Sequence, residues 1–334
     1  DFHEGPVGLI PINRNIDESV ISLSEECVAI AKDDWDSKET SWDFKRHQLS
    51  SYQGAVEVAI KDILDRARDK TGRVKECEER INEIVINSYG LNKEISPYVS
   101  ASAITLDNNI HFAYSSILEE TDKVKAYISD LFAEFISYSI GVMFGRYSLD
   151  VNGLVYAHSG NVGFSDLVKE GKYETFPVDD DGIIPLTDQE WFPDDATNRF
   201  RDFVNVVWGE YHLQENLDFV ADSLCLHAIK PKKSESSIDT IRRYLSTQFY
   251  KDHLKTYKKR PIYWLFSSGK QKAFECLVYL HRYNEGTLAR MRTEYVIPLT
   301  AKMAAYAQKL ENDKEASGSA AEVKHCRSKP RRWP

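Results

Sequence analysis

Apolar residues recur at helical spacing along much of this chain. From Ser51 to about Tyr89 one stripe runs through Val56, Ile60, Ile63, Leu64 and Ala67, then continues past Gly72 through Val74, Cys77, Ile81, Ile84 and Val85, with charged residues filling the opposite face. Gly72 either breaks this run into two helices or sits inside one long one; Gly90 and Pro97 mark its end. An earlier helix is expected after Ser24, with Glu25 and Glu26 in a first turn that favours acids, running to about Trp35. A third helix is expected over 123–146. It has a wider apolar face (Val124, Tyr127, Leu131, Phe135, Ile140, Met143) and is therefore more buried.

The middle of the chain reads differently. Short apolar runs at 154–157, 173–178 and 182–186 are expected as strands. An acidic stretch at 188–195 leads to helices at about 196–208, 213–225 and 236–254, a strand at 262–266, and helices at about 271–281 and 285–313. The expected fold class is α/β, mainly helical with short strands: a helical connector plus a mixed α/β recognition region. The expected divisions are an extended leading segment (1–20), the helical connector (21–97), a mixed segment (98–190), a basic-aromatic recognition region (191–313) and a disordered tail (314–334).

Charge sharpens this picture. The net charge of −9 over 334 residues hides an asymmetry. Residues 166–224 carry about 15 acids against about 4 Lys/Arg, while residues 230–303 carry about 16 Lys/Arg against about 6 acids. The second block contains the run Lys258-Lys259-Arg260-Pro261-Ile262-Tyr263-Trp264-Leu265-Phe266-Ser267-Ser268-Gly269-Lys270. Cations, aromatics and small hydroxyls in one short loop-to-strand unit suit a surface that grips a phosphate backbone. The candidate DNA-contacting residues are Lys258, Lys259, Arg260, Ser267, Ser268, Lys270 and Lys272, with Arg242, Arg243, Arg290 and Arg292 as exposed guanidiniums for base or phosphate readout. The plainer reading makes Tyr263, Trp264 and Phe266 a core strand whose ends the cations merely solvate.

Other chemistry is thin. Neither a GxGxxG nor a Walker A motif occurs, and Gly269-Lys270 is followed by Gln271 rather than Ser or Thr. Asp179-Asp180-Asp181-Gly182 lacks the spacing of a calcium loop and reads as a solvated turn. Asp150 with Glu170-Gly171-Lys172 loosely fits a metal-dependent nuclease, a pattern common by chance in so charged a chain. The five cysteines are scattered without a CxxC, so reduced thiols in the cytoplasm are expected, and Cys225/His227 and Cys276/His281 read as packed helix positions. No apolar run approaches the ~18 residues of a membrane span. The first residues carry no Met and no signal-peptide character, which reads as a cut into a longer polypeptide.

Several uncommon strings then occur in a telling order. They are Thr40–His47, Ile81–Ile84 through Tyr89–Leu91, Gly141–Asp150, Asp181–Leu186, Glu215–Phe219, Lys259–Ser268, Leu277–Tyr283 and Ala289–Tyr295. Over roughly residues 8–310 the chain resembles the C-terminal region of PglX-type adenine-specific DNA methyltransferases of BREX phage-defence systems, which are similar to type IIG restriction-modification enzymes. His47 is followed by Gln48 where that family leads one to expect Pro. The resemblance implies a parent enzyme whose methyltransferase domain binds S-adenosylmethionine and methylates N6 of an adenine held by an Asn-Pro-Pro-Tyr-type motif. Neither that motif nor the glycine-rich cofactor motif is present here. The resemblance therefore assigns this chain no catalytic residue, cofactor or metal of its own. It implies target-DNA recognition, with double-stranded DNA and the methyltransferase domain of the same polypeptide as partners. Two alternatives remain at this stage: a scaffold for other defence-system subunits, using the acidic block and the long helix, and the nuclease reading.

Overall fold

The computed structural model describes residues 9, 11, 13, 17–157 and 163–316, with backbone only for 314–316. Most of the expected leading segment, and the tail beyond residue 316, lie outside the described residues. The chain divides into two compact units, residues 1–42 with 58–127 and residues 43–57 with 128–334.

The first unit is built on α1 (Ser19–Asp36) and most of α2 (Val56–Tyr89). α2 is one uninterrupted helix of 34 residues, about 51 Å long, so Gly72 is accommodated within it. Its apolar stripe explains why: Val74 joins Ile104 and Leu106 in a small core, against which Cys27 and Ile30 of α1 and Val99 pack. The buried Asp34, near the end of α1, accepts from the backbone N–H of Asp107 (2.6 Å) and from the Asn108 side chain (2.7 Å). It thereby ties α1 to the loop before α3 (Ile110–Ala113). Arg73 grips Glu26 through two N–H groups at 2.6 and 2.7 Å, on the solvent side.

The second unit holds the larger core. α4 (Glu120–Met143) contributes Leu131, Phe132, Phe135, Ile136 and Ile140, all buried. Trp208, at the end of α6 (Ala196–Trp208), stacks on Phe135 at 4.7 Å and donates its indole N–H to the Leu49 carbonyl at 2.9 Å. α7 (Leu213–Leu224) closes this side, where Phe219 meets Phe132 edge-on at 5.9 Å. A glycine is required at position 141, because a Cβ there would come within 2.5 Å of the Tyr147 ring.

A three-stranded antiparallel sheet completes the unit in the order β1-β3-β2: β1 (Ile183–Pro185), β2 (Tyr263–Ser267) and β3 (Glu275–Tyr279). One face packs on Phe144, which stacks on Tyr263 at 5.1 Å. The other is covered by Phe192, Met291, Tyr295 and Leu299, which surround Ile183, Cys276 and Val278. The short α5 (Phe164–Lys169) precedes the sheet. α8 (Ser237–Tyr244), a π turn (Leu245–Phe249) and α9 (Tyr250–Thr256) lead into β2. After β3 come α10 (Thr287–Arg290), a second π segment (Met291–Val296) and α11 (Ile297–Ala316).

Mainly helical α/β architecture is thus observed, with β1 and β2 close to their expected positions. Several expectations fail. α1 starts at Ser19, so Glu25 and Glu26 lie inside it and not in its first turn. The segment at 271–281 is not a helix: it holds β3, the central strand, all five residues of which are buried. A strand buried on both faces loses the polar alternation that marks a half-buried one, so its apolar run mimics a buried helix. Residues 154–157 and 173–178 form no strands. Tyr173 and Phe176 are held by other means: the Tyr173 hydroxyl donates to the Gly145 carbonyl at 2.7 Å, and Phe176 meets Phe203 edge-on at 5.4 Å.

Candidate nucleic-acid interface

The basic run folds as a helix end, a tight reversal, an edge strand and a hairpin. α9 stops at Thr256, and the backbone of Lys258 and Lys259 then turns left-handed, with φ of 50° and 63°. Their N–H groups return to the carbonyls of Lys255 (3.2 Å) and Leu254 (2.7 Å), closing the helix as a glycine ordinarily would. His253 fixes the geometry on both sides of this reversal. Its Nε2 accepts from the N–H groups of Ile262 (3.1 Å) and Tyr263 (3.3 Å), binding the helix to the start of β2. Burial, seconded by the Arg146 charge, pushes its pKa down to about 4, so the ring is neutral at pH 7 and keeps that acceptor.

At the far end of β2 the hairpin closes through Ser268. Its N–H donates to the Phe274 carbonyl (2.9 Å) and its hydroxyl accepts from the Phe274 N–H (3.0 Å). The Ser267 hydroxyl accepts from the Gly269 N–H at 3.3 Å. Gly269 and Lys272 both take positive φ, 94° and 50°. Three of the four described non-glycine residues with positive φ are therefore lysines flanking β2; the fourth is Ser234. β-Carbon sterics disfavour that conformation for lysine, and such strain gathers where structure serves function.

β2 is an edge strand. Its pairing with β3 uses the even-numbered residues, as the Leu280-to-Ile262 and Ser268-to-Phe274 bonds show. The odd-numbered backbone groups point away from the sheet. His253 satisfies Tyr263, whereas the N–H groups of Leu265 and Ser267 face outward without a partner among the described residues.

Of the expected cations, Lys258, Lys259, Arg260 and Lys270 are exposed and make no ion pair among the described residues. Lys272 is exposed and reaches Glu275 at 3.2 Å. Arg290 pairs with Glu294 on the surface at 3.2 Å, and Arg292 is exposed and unpaired among the described residues. Met291, between them, is buried in the cluster against which Phe266 of β2 packs, so both arginines belong to the layer that covers the hairpin's sheet.

The Arg242/Arg243 pair does not join them. Arg242 is not an exposed guanidinium: only 5% of its surface is accessible. It forms a buried ion pair with Asp195 and reaches the carbonyls of Thr187 and Gln189 at 3.4 Å. Asp195 in turn caps α6 by accepting from the N–H groups of Thr197 (3.0 Å) and Asn198 (2.9 Å). Arg243 is half-buried and grips Glu235 at 2.7–3.0 Å. Sequence reasoning flagged the cations and missed these acids. The capping role of Asp195 was the available signal, since Asp preceding a helix is a favoured N-cap.

The aromatics split. Tyr263 is core, Phe266 is half-buried, and Trp264 remains 36% exposed beside Tyr283, ring centroids 5.4 Å apart.

Elsewhere, both Asp150 oxygens accept from Thr175, through its N–H at 3.0 Å and its hydroxyl. The Asp179–Asp181 turn is not fully solvated. Asp179 is buried and accepts from the Gly182 N–H at 2.6 Å, and burial, reinforced by Asp181, raises its pKa to about 7. Among the described residues no group of three His, Cys, Asp or Glu side chains is placed to hold a metal ion, and no helix is long and apolar enough to cross a membrane.

These features define a chain with a basic hairpin margin held by left-handed lysine turns. Comparison places it among relatives of adenine-specific methyltransferases. It is 49% identical over 329 residues, 98% of its length, to the adenine-specific methyltransferase BrxX of Escherichia coli O9:H4 (strain HS), and covers 27% of that protein. It is 38% identical over 319 residues, 93% of its length, to the adenine-specific methyltransferase PglX of Lacticaseibacillus casei (strain Zhang), covering 24% of that protein. The resemblance to PglX-type enzymes is therefore borne out as homology along nearly the whole chain. The chain spans about a quarter of the length of the curated relatives it matches. No family model matches.

Proposed function

We propose that this chain is the target-DNA recognition region of a site-specific adenine-N6 DNA methyltransferase acting in phage defence. The observation that carries this reading is the pair of strained lysine turns. Lys258 and Lys259 at one end of β2, and Lys272 at the other, are held in left-handed backbone, with Arg260 and Lys270 exposed beside them. With the outward N–H groups of Leu265 and Ser267 and the exposed hydroxyls of Ser267 and, inside the hairpin, Ser268, they offer donors around the β2 margin. Phosphate contacts of this kind set register, while base edges are read by other groups. Arg290 and Arg292 are the readout candidates that remain once Arg242 and Arg243 are assigned to the fold.

In this reading the methyltransferase domain of a longer polypeptide supplies S-adenosylmethionine binding and the chemistry. Residues 191–313 grip and select the duplex, and the connector at 21–97 sets their distance from the reacting adenine. Such an enzyme must extrude one base, so it has to hold the flanking backbone firmly.

The test is duplex-DNA binding across a salt series. Steep weakening with salt is expected, with Lys259→Glu plus Arg260→Glu reducing both affinity and slope. An unchanged slope in that variant would remove the hairpin margin from the interface. Salt-insensitive association with a protein and no DNA shift would favour the scaffold reading.

A further inference from the structure

α1 is apolar on two faces, and among the described residues only one is covered. Cys27 and Ile30 pack on the Val74–Ile104–Leu106 core. On the other side Ile21, Val28 and Trp35 lie seven residues apart and are 61%, 67% and 53% exposed. Seven residues is close to two helical turns, so the three form one line. Between them on the same face fall Ser24 and Ala31, small residues that let another helix approach closely. A helix with apolar residues on opposite faces is one built to be buried on both, and large apolar side chains aligned in solvent mark an interface.

The flank of this line narrows what covers it. Glu18 and Glu25 lie beside the Ile21–Val28 half, with Lys32 following beside the Val28–Trp35 half. The exposed acids repel a phosphate backbone, so this face is not part of a DNA surface. They call for cations on the partner opposite Glu18 and Glu25. The heptad spacing calls for a helix, because only a helix presents knobs at that interval along 14 residues of α1. The size of the relatives points to a source: they are about four times the length covered here, and in an enzyme of that size the remaining polypeptide would be tethered beside α1 at high effective concentration.

We propose that the open face of α1 docks an amphipathic helix, basic along one flank, from the methyltransferase part of the same longer polypeptide. This rests on reading the chain as one portion of such an enzyme. The docking would anchor the recognition region to the catalytic one through protein contacts, independently of DNA.

The experiment replaces Val28 with a photo-crosslinking amino acid in the full-length polypeptide and maps the adduct by mass spectrometry. The exposed position tolerates the change. The expected adduct is intramolecular and falls on a helix outside these 334 residues, with apolar residues at three- and four-residue spacing and Lys or Arg on one flank. Glu25→Lys should lower its yield about threefold by reversing a surface charge pair, and Glu25→Gln should lower it less. Three results would overturn the proposal: an adduct on α1 of a second copy, adducts confined to these 334 residues, or no adduct at all. DNA binding by the same polypeptide, measured against salt, reports separately on the recognition reading.

Discussion

Two sets of cations, the Arg242–Arg243 pair and the run over 258–272, both read as candidate DNA contacts and come to opposite ends. In the first, each arginine meets an acid: Arg242 a buried Asp195 from 47 residues upstream, and Arg243 the nearby Glu235. In the second, four cations reach solvent with no ion pair among the described residues, two of them, Lys258 and Lys259, on left-handed backbone that lysine disfavours. The difference teaches that a cation in the sequence does not by itself mark a binding surface. What matters is whether the fold returns a counter-charge to each cation. A buried guanidinium that already holds a helix cap cannot be lent to DNA, whereas an exposed lysine with no counter-charge in the fold is free to meet one outside it.

The contrast can be broken at both ends. The largest effect is expected from Arg242→Ala, which strands the buried Asp195 carboxylate. Stability should fall by about 3–5 kcal/mol, read as a shift of the urea midpoint. Protein that still folds should retain the wild-type salt slope for DNA. A normal midpoint with a lost slope would return Arg242 to the interface.

Next comes His253. Its pKa in the folded chain lies below the ordinary value of 6.5. The unfolded chain therefore binds the proton more readily. The neutral ring's contribution is intact above about pH 6.5 and is lost as pH falls toward 4, with a span of about 3 kcal/mol. His253→Gln should flatten stability against pH across that window, and chemical denaturation at pH 4.5 and 7.5 measures it.

A smaller effect separates binding from folding. Lys259→Glu with Arg260→Glu should cost DNA affinity about tenfold or more at low salt, while stability stays within about 0.5 kcal/mol. The smallest expected change is the sharpest probe of the strained turn. Lys259→Gly removes one cation and relieves a positive φ, so stability should move by no more than about 1 kcal/mol while the salt slope drops by about 0.9.

Much of the helical scaffold was legible because amphipathic periodicity is a local property. α2, α6 and α7 followed directly from their stripes, and β2 from its aromatic and apolar content between turn residues. β3 was hidden because Cys276, Leu277 and Val278 are enclosed on both faces, which erases the polar alternation that distinguishes strand from helix. The π segments at Leu245–Phe249 and Met291–Val296 leave no periodic mark short of an extra residue per turn. Of the candidate interface, the exposed lysines were readable as cations that could not all be buried. The fate of Arg242 was not, because its partner lies beyond the reach of any local pattern. Neither were the left-handed turns, since glycine is the usual sign of such a turn and lysine takes the left-handed positions at 258, 259 and 272.

The placement of β3 at the sheet's centre also dictates an order of events in folding. Its pairing with β2 closes a loop of only a few residues, and the hairpin can form early. Its pairing with β1 joins Ile183 to Val278 across roughly 95 residues, including α6, α7, α8 and α9. That closure is entropically slow and has to wait for the intervening helices to collapse. During synthesis β1 emerges long before the strand it pairs with. Ile183 and Ile184, wholly enclosed in the finished sheet, are exposed on the nascent chain for that interval, so the step most open to misassembly is the docking of β1 rather than the formation of the hairpin.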